Sequence, residues 1–169
     1  KGFAMIEAGT GTGKSFAYLI PAILSGKRVV ISTAKKALQK QLRDNDLPFL
    51  LKQLGSATTF GSLKGKNNYV CQLRLEDFAK GDAVGRYSRA DFEAFQAWAE
   101  HDEFGEIDDY PFDVDFAGHV RVSECVSKHC DYAADCGYRK AKNKAGVANI
   151  VIVNHALLAF DLAMGGGKI

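Results

Sequence analysis

The chain has 169 residues, of which 47% are hydrophobic, 25% are charged and 11% are aromatic. These proportions are typical of a folded protein and exclude a disordered chain. No apolar run approaches the roughly 20 residues that span a bilayer, and the first residues lack a signal-peptide pattern. We therefore expect no membrane association and a cytoplasmic location. The net charge of +2 is too small to indicate a nucleic-acid partner by itself.

Charge divides the chain into two parts. Residues 64–146 contain 12 Lys and Arg against 16 Asp and Glu, a net charge of −4, whereas the other residues carry a net charge of +6. Between Glu100 and Asp115 there are eight carboxylates and no Lys or Arg. We interpret this acidic stretch as a solvated loop, because a run of like charges usually forms a solvated face.

Hydrophobic periodicity predicts alternating strands and helices at both ends of the chain. In chain order the predicted elements are a strand at 2–8, a helix at 14–24 bent by Pro21, a strand at 28–32, a helix at 34–43, a strand near 57–63, a helix near 89–100, a strand at 149–153 and a helix at 155–163. This order predicts an α/β fold with a parallel sheet and right-handed crossovers. The polar residues 64–146 break the alternation. We therefore predict an insertion there, between α/β segments at 1–63 and 147–169, with Phe92, Phe95 and Trp98 as its small core.

A glycine-rich loop joins the first predicted strand to the first predicted helix, which is the context of a P-loop. Its glycines permit close approach, and its N–H groups together with the helix N-terminus face phosphates. Lys14 would place its charge on the β- and γ-phosphates, and Ser15 would offer its hydroxyl to Mg²⁺. The predicted site for ATP and Mg²⁺ comprises Ala8, Gly9, Thr10, Gly11, Thr12, Gly13, Lys14 and Ser15, with Lys14 and Ser15 as its catalytic residues.

Hydrolysis of ATP also needs an acidic residue on a neighbouring strand. No predicted strand ends in Asp-Glu, and the strand at 149–153 is followed by Asn154 and His155. Because Asn is a good N-cap, we favour a structural role for Asn154. The pattern is that of a truncated motor.

The four cysteines are the second candidate site. Cys71 is followed after 53 residues by Cys125, and Cys130 and Cys136 follow at intervals of four and five residues. Four thiolates hold either zinc or an iron–sulfur cluster, and the one-plus-three spacing favours a cluster. Zinc, unligated thiols and, less readily, disulfides stay open. We interpret His119 and His129 as residues outside the ligand set.

With these motifs in hand, the chain resembles the DinG family of iron–sulfur DNA helicases, the bacterial relatives of XPD, and most closely the YoaA/DinG-like branch. The segments that carry the resemblance are EAGTGTGKS at 7–15, VVISTAKKALQKQL at 29–42, LKGKNNYVC at 63–71 and NIVIVNHALLAFDL at 149–162. Ala8, which stands where the strict P-loop has Gly, is the usual helicase variant.

The resemblance implies an ATP-dependent 5′-to-3′ DNA helicase that acts in bacterial DNA repair or replication at the nucleoid. Its first RecA-like motor domain would be present in part, interrupted by an iron–sulfur domain. Cys71, Cys125, Cys130 and Cys136 would hold a 4Fe–4S cluster. The chain would stop before the family's Asp-Glu-Ala-His box, so we expect the chain alone to be inactive.

The resemblance also implies contact with single-stranded or forked DNA. The candidate contacts are Thr33 and Lys36 after a strand, Lys64, Lys66 and Tyr69 before Cys71, and Arg139 and Lys140 in the basic run after Cys136. Two other classes stay open. One is a zinc-binding nucleic-acid module with a nucleotide-binding P-loop, and the other is a nucleotide kinase with a zinc lid, which the basic STAKK loop argues against.

Overall fold

The computed structural model describes residues 2, 4–9, 11–125, 129–167 and 169. The chain forms two compact units, one of residues 1–63 and 145–169, here called the sheet unit, and one of residues 64–144, here called the cysteine unit. Within the described residues, no helix combines the length and the apolar character that crossing a membrane requires.

The described helices and strands follow one another along the chain. They are α1 (Lys14–Leu24), β1 (Val29–Thr33), α2 (Lys36–Gln41), α3 (Leu47–Leu54), β2 (Phe60–Leu63), α4 (Gln72–Lys80), α5 (Arg89–His101), α6 (Ala117–Val120), α7 (Gly137–Val147), β3 (Ile150–Asn154) and α8 (His155–Ala163).

The sheet unit is built on three parallel strands in the order β1-β3-β2. The central strand, β3, pairs Ile150 with both Val29 and Phe60. Its first four residues are all buried, as expected for a run of β-branched side chains between two parallel neighbours. The α/β class and the parallel sheet are therefore confirmed. The cysteine unit lies in the sequence between β2 and β3.

Helices cover this sheet with aliphatic side chains. Leu19 and Ile23, four residues apart on α1, are buried in one cluster. The cluster also contains Ile31, Leu42, Leu47, Leu50, Ile150 and Ile152. Pro21 lies inside α1 and does not end it. The predicted bounds of α1 and α8 are confirmed.

The strand predicted at 2–8 is absent from the described residues there, which is a correction. Met5 and Ile6 are 92% and 86% exposed. A strand is stabilised by the hydrogen bonds and the buried face that a neighbour provides, and none of β1, β2 or β3 pairs with this segment. Local hydrophobicity alone is therefore not enough to form a strand.

The helix predicted at 34–43 is too short. After α2 the chain continues through a π-helical turn at Leu42–Asp46 into α3. Pro48 lies in the first turn of α3, directly after the π-helical turn. Gly55 then ends the helix in a left-handed conformation with φ of 57°.

The cysteine unit has an aromatic core. Phe116 packs against Phe78, Phe92 and Phe95 with ring centroids 5.3–5.9 Å apart. Trp98 packs on Phe95 at 5.3 Å. The predicted core role of Phe92, Phe95 and Trp98 is confirmed, and α5 has the predicted position. The sequence did not predict α4, α6 or α7, because their apolar residues are too few for a helical period to stand out.

A short backbone ladder runs through the cysteine unit at residues 69–71. On one side the Val70 N–H donates to the carbonyl of Gly105 at 2.8 Å. On the other side the Cys71 N–H donates to the carbonyl of Val120 at 2.8 Å, and the Val122 N–H donates to that of Tyr69 at 3.0 Å. The segment before α4 is therefore held along both edges.

Candidate nucleotide-binding loop and cysteine cavity

The glycine-rich loop has the backbone conformation that its residues permit. Gly11 and Gly13 have φ angles of 77° and 74°, in the left-handed region that side chains disfavour. Gly13 is the N-cap of α1, and no side chain caps this helix end. The N–H groups of the first turn of α1 therefore remain available to an anion.

Lysine and threonine side chains close the loop on itself. The Lys14 Nζ donates to the carbonyl of Ala8 at 2.7 Å, and the Thr12 Oγ1 donates to that of Gly9 at 2.9 Å. Lys14 is exposed and Ser15 is half-buried, so both can be reached by a ligand. The structure thus brings together the predicted loop residues that it describes. Thr10 lies outside the described residues.

All four cysteines line one cavity of about 290 Å³ in the cysteine unit. Cys71 immediately precedes α4, and Cys136 immediately precedes α7, whose first helical hydrogen bond runs from the Lys140 N–H to the Cys136 carbonyl at 3.0 Å. The thiols are free, with Cys125 exposed and the others half-buried. Cys71 and Cys125, with 53 residues between them in sequence, therefore face the same space.

The cysteine cavity is larger than a single metal ion requires. Four thiolates around one zinc lie about 2.3 Å from the metal and leave no room between them. Among the described residues, no group of three or more His, Cys, Asp or Glu is arranged to hold one metal ion. The four thiols are the donor set that a cluster with Cys₄ ligation uses.

Two tyrosines and two basic residues also line the cavity. Burial raises the pKa of Tyr138, and the neighbouring Cys125 and Cys136 raise it further. Tyr132 donates a hydrogen bond to Glu76, which raises the pKa of Tyr132 to about 12 and lowers the pKa of Glu76. Arg139 and Lys142 also line the cavity. Both phenols therefore stay protonated beside the thiols.

The histidines lie elsewhere. His119 stacks on Phe78 with centroids 5.1 Å apart, and its Nε2 lies 3.1 Å from the Tyr87 hydroxyl. His129 is exposed and is not among the residues that line the cavity. Neither residue is among those that line the cavity, and their place outside the ligand set stays a prediction.

The residues predicted to contact DNA fall into exposed and buried groups. Lys36, Lys66, Arg139 and Lys140 are exposed. Thr33 is buried, and its Oγ1 donates to the carbonyl of Lys35 at 3.1 Å.

Lys64 and Tyr69 are a correction to that prediction. Their side chains are 1% and 0% exposed, so neither has a surface with which to reach a strand of DNA. Lys64 Nζ instead lies 2.9 Å from the Glu106 carboxylate. In the sequence, a lysine close to the candidate ligand Cys71 looks like a contact for a DNA phosphate. Only the position of Glu106 in space identifies Lys64 as part of an ion pair.

The acidic stretch was also misread in part. Glu106 is 1% exposed, although it belongs to the segment predicted to be a solvated loop. Since its partner Lys64 is more than forty positions away in sequence, no local pattern could have found the pair.

Gln39 is another residue that sequence reasoning missed. It is completely buried, and its Nε2 donates to Ser62 Oγ at 3.1 Å, to the Leu63 carbonyl at 3.0 Å and to the Ile152 carbonyl at 3.1 Å. Gln39 therefore ties the helix after β1 to the end of β2 and the middle of β3. Its residue type is ordinary on a helix, so the sequence contains no signal for this role.

Asn154 has the structural role predicted for it. Its side chain accepts a hydrogen bond from the Leu157 N–H at 2.7 Å and caps α8. No carboxylate directly follows any of the described strands β1, β2 and β3.

A glycine-rich loop that opens a helix beside a three-stranded parallel sheet is compatible with a partial P-loop domain. No family model matches the chain. It is 37% identical to the ATP-dependent helicase DinG of Mycobacterium tuberculosis over 93% of its length. It is 35% and 37% identical to the ATP-dependent DNA helicases YoaA of Haemophilus influenzae and Escherichia coli, over 97% and 95% of its length.

The chain is DinG/YoaA-like over 93–97% of its length, which confirms the resemblance seen in its motifs. It spans 26–28% of the length of these relatives.

Proposed function

We propose that this chain supplies the ATP-binding loop and the iron–sulfur domain of an ATP-dependent 5′-to-3′ DNA helicase that acts in repair or replication. The sheet unit would be part of a RecA-like motor domain, and the cysteine unit would be the cluster domain. The observation that carries the proposal is the single cavity lined by Cys71, Cys125, Cys130 and Cys136 in a chain that also has a P-loop.

The nucleotide would bind at the N-terminus of α1. Its β- and γ-phosphates would take the place of the Ala8 carbonyl as partner of the Lys14 ammonium, and Ser15 would hold Mg²⁺. The backbone N–H groups of the loop would also bind the phosphates. Because no carboxylate directly follows β1, β2 or β3, we propose that the isolated chain binds ATP without rapid hydrolysis.

The cysteine cavity would hold a 4Fe–4S cluster through its four thiolates. When bound, such a cluster supplies covalent cross-links between the segment before α4 and the segment before α7, and an electron-transfer centre. The protein holds Cys71 by its backbone ladder and Cys136 at the start of a helix. Arg139 and Lys142 offset the negative charge of the thiolates.

Exposed basic side chains would contact DNA phosphates. Lys66 precedes the Cys71 segment and Lys140 lies on α7, and both are exposed. The pair of Lys140 with Asp135 is 3.8 Å long and partly exposed, so it costs little to break. We expect Lys66→Gln and Lys140→Gln each to lower the salt dependence of single-stranded DNA binding by about one phosphate contact. Lys80→Gln, at an exposed lysine on α4 that pairs with Glu76, is the matched control.

The proposal is tested by the metal content of chain purified without oxygen. We expect about four irons and four acid-labile sulfides per chain, and binding of a fluorescent ATP analogue in the presence of Mg²⁺. One zinc and no iron would replace the cluster by the zinc-module alternative. If the purified chain contains neither iron nor zinc, the cavity has no proposed ligand. Absence of ATP binding would remove the motor assignment.

A further inference from the structure

The cysteine unit contains a buried ion pair. Lys64 Nζ and Glu106 Oε2 are 2.9 Å apart, and both side chains are 1% exposed. Asp108, which is partly exposed, lies 3.4 Å from the same ammonium. Burial of opposite charges is expensive unless they are paired, so removal of one partner leaves an uncompensated charge in the interior.

The pair is coupled to the segment that carries Cys71. The Lys64 backbone N–H donates to the Tyr69 hydroxyl at 3.1 Å, in a buried position. Tyr69 and Glu106 face each other as an antiparallel bridge pair, and Val70 pairs in the same way with Arg121. Lys64 therefore contacts both ends of one bridge: the Tyr69 ring through its backbone and Glu106 through its side chain.

The same segment reaches the other cysteines. Gly137, which follows Cys136, lies so close to the Phe104 carbonyl oxygen that a Cβ at 137 would collide with it. The Tyr69 ring also packs edge-on against Tyr138 with centroids 5.5 Å apart. Residues 104–106 thus touch the Cys71 segment on one side and the start of α7 on the other.

We propose that the Lys64–Glu106 ion pair is a positioning element that sets the location of Cys71 relative to the other three thiols. This inference rests on the proposed cluster as the occupant of the cavity. Neither Lys64 nor Glu106 is among the residues that line the cavity, so the pair acts through the backbone at 69–71 and 104–106. Loss of the pair weakens the ladder on the Glu106 side and lets Cys71 move out of the ligand set, although the variant still has all four cysteines.

The test compares Glu106→Gln with Glu103→Gln. Glu103 belongs to the same acidic stretch and pairs with Lys144 at 3.6 Å, but it is largely exposed. Iron release to a chelator is followed from the visible absorbance of the anaerobic protein. We expect release to be about 10- to 100-fold faster in Glu106→Gln, the range found when groups that orient metal ligands are removed, and unchanged in Glu103→Gln.

Two further variants separate positioning from general loss of folding. Tyr69→Phe keeps the ring and removes only the hydroxyl that accepts from the Lys64 N–H, so we expect a smaller acceleration with an unchanged far-ultraviolet spectrum. The exchanged pair Lys64→Glu with Glu106→Lys restores opposite charges. We expect it to recover slow release relative to Glu106→Gln, which a merely destabilised variant would not do.

Alkylation of Cys71 in metal-free protein provides a readout that needs no cluster. We expect Glu106→Gln to raise the alkylation rate of Cys71 and Glu103→Gln to leave it unchanged. Equal iron release and equal alkylation in Glu106→Gln and wild type would overturn the inference. Wild type that binds no iron would instead refute the proposed cluster, and the alkylation rates would still decide whether the ion pair positions Cys71.

Discussion

Gly137→Ala tests the close contact between α7 and residues 104–105. A Cβ at 137 would overlap the Phe104 carbonyl oxygen, and that backbone cannot move cheaply. Asp102 Oδ1 accepts the N–H groups of Phe104 and Gly105 at 3.0 and 2.6 Å, and the Gly105 carbonyl accepts from Val70 at 2.8 Å. Overpacking of this kind costs about 1–3 kcal/mol, and we expect the upper end because the neighbour is backbone.

The gain in helix propensity from Gly to Ala offsets less than about 1 kcal/mol of this cost. The net loss of about 2 kcal/mol in the free energy of unfolding lowers the folding equilibrium constant about 30-fold. With a slope of about 1–3 kcal/mol per molar urea, the midpoint should fall by about 1 M.

Trp98 makes the assay specific to the cysteine unit. It is the chain's one tryptophan, and it packs on Phe95 and Tyr110 in the aromatic core. Its fluorescence during urea unfolding therefore reports this unit. The matched control is Gly118→Ala on α6, where a Cβ would meet no atom within 4 Å. We expect its midpoint to be unchanged or higher. Equal midpoints for Gly137→Ala and wild type would show that α7 is not packed against the 104 carbonyl.

Four other substitutions have defined outcomes. Lys14→Ala should weaken binding of a fluorescent ATP analogue at least about tenfold with no change in the urea midpoint, because the side chain is exposed. Lys27→Ala is the control, and equal affinity of Lys14→Ala and wild type would exclude this loop as the site. Cys130→Ser should increase proteolytic cleavage within 64–144 and spare the sheet unit, so an unchanged digest would argue against ligation. Gln39→Ala should cost about 1–3 kcal/mol through the unpaired carbonyls of Leu63 and Ile152, seen as faster amide exchange in β2 and β3; unaltered exchange would mean that water replaces the amide. Asn154→Ala should cost about 1 kcal/mol through loss of the α8 cap, whereas Asn154→Asp should cost much less.

The phosphate loop and the aliphatic strands were predictable because their signals are local. Gly11 and Gly13 are glycines because the loop needs positive φ at those positions, and the residues that need this conformation are adjacent in sequence. The run Ile150–Asn154 predicts a buried strand because all its side chains are apolar and β-branched up to the cap. Asn154 is similar, since a cap acts within three residues.

The cysteine spacing predicted a shared site but not its walls. That Cys71 faces the same cavity as Cys125, Cys130 and Cys136 depends on the ladder between residues 69–71 and 120–122. Neither strand-like segment is long enough to give a period-two pattern. The prediction relied on thiol chemistry and on family resemblance, while the cavity itself is a product of packing.

Long-range electrostatics and strand pairing were decided only by the tertiary structure. Lys64 looked like a surface cation and Glu106 like part of a solvated acidic loop, yet each is buried because the other is beside it. Residues 2–8 looked like a strand, yet the side chains of Met5 and Ile6 are exposed because no described strand pairs with this segment. Residue type determines what a side chain can do, but burial and pairing depend on which distant segment lies next to it.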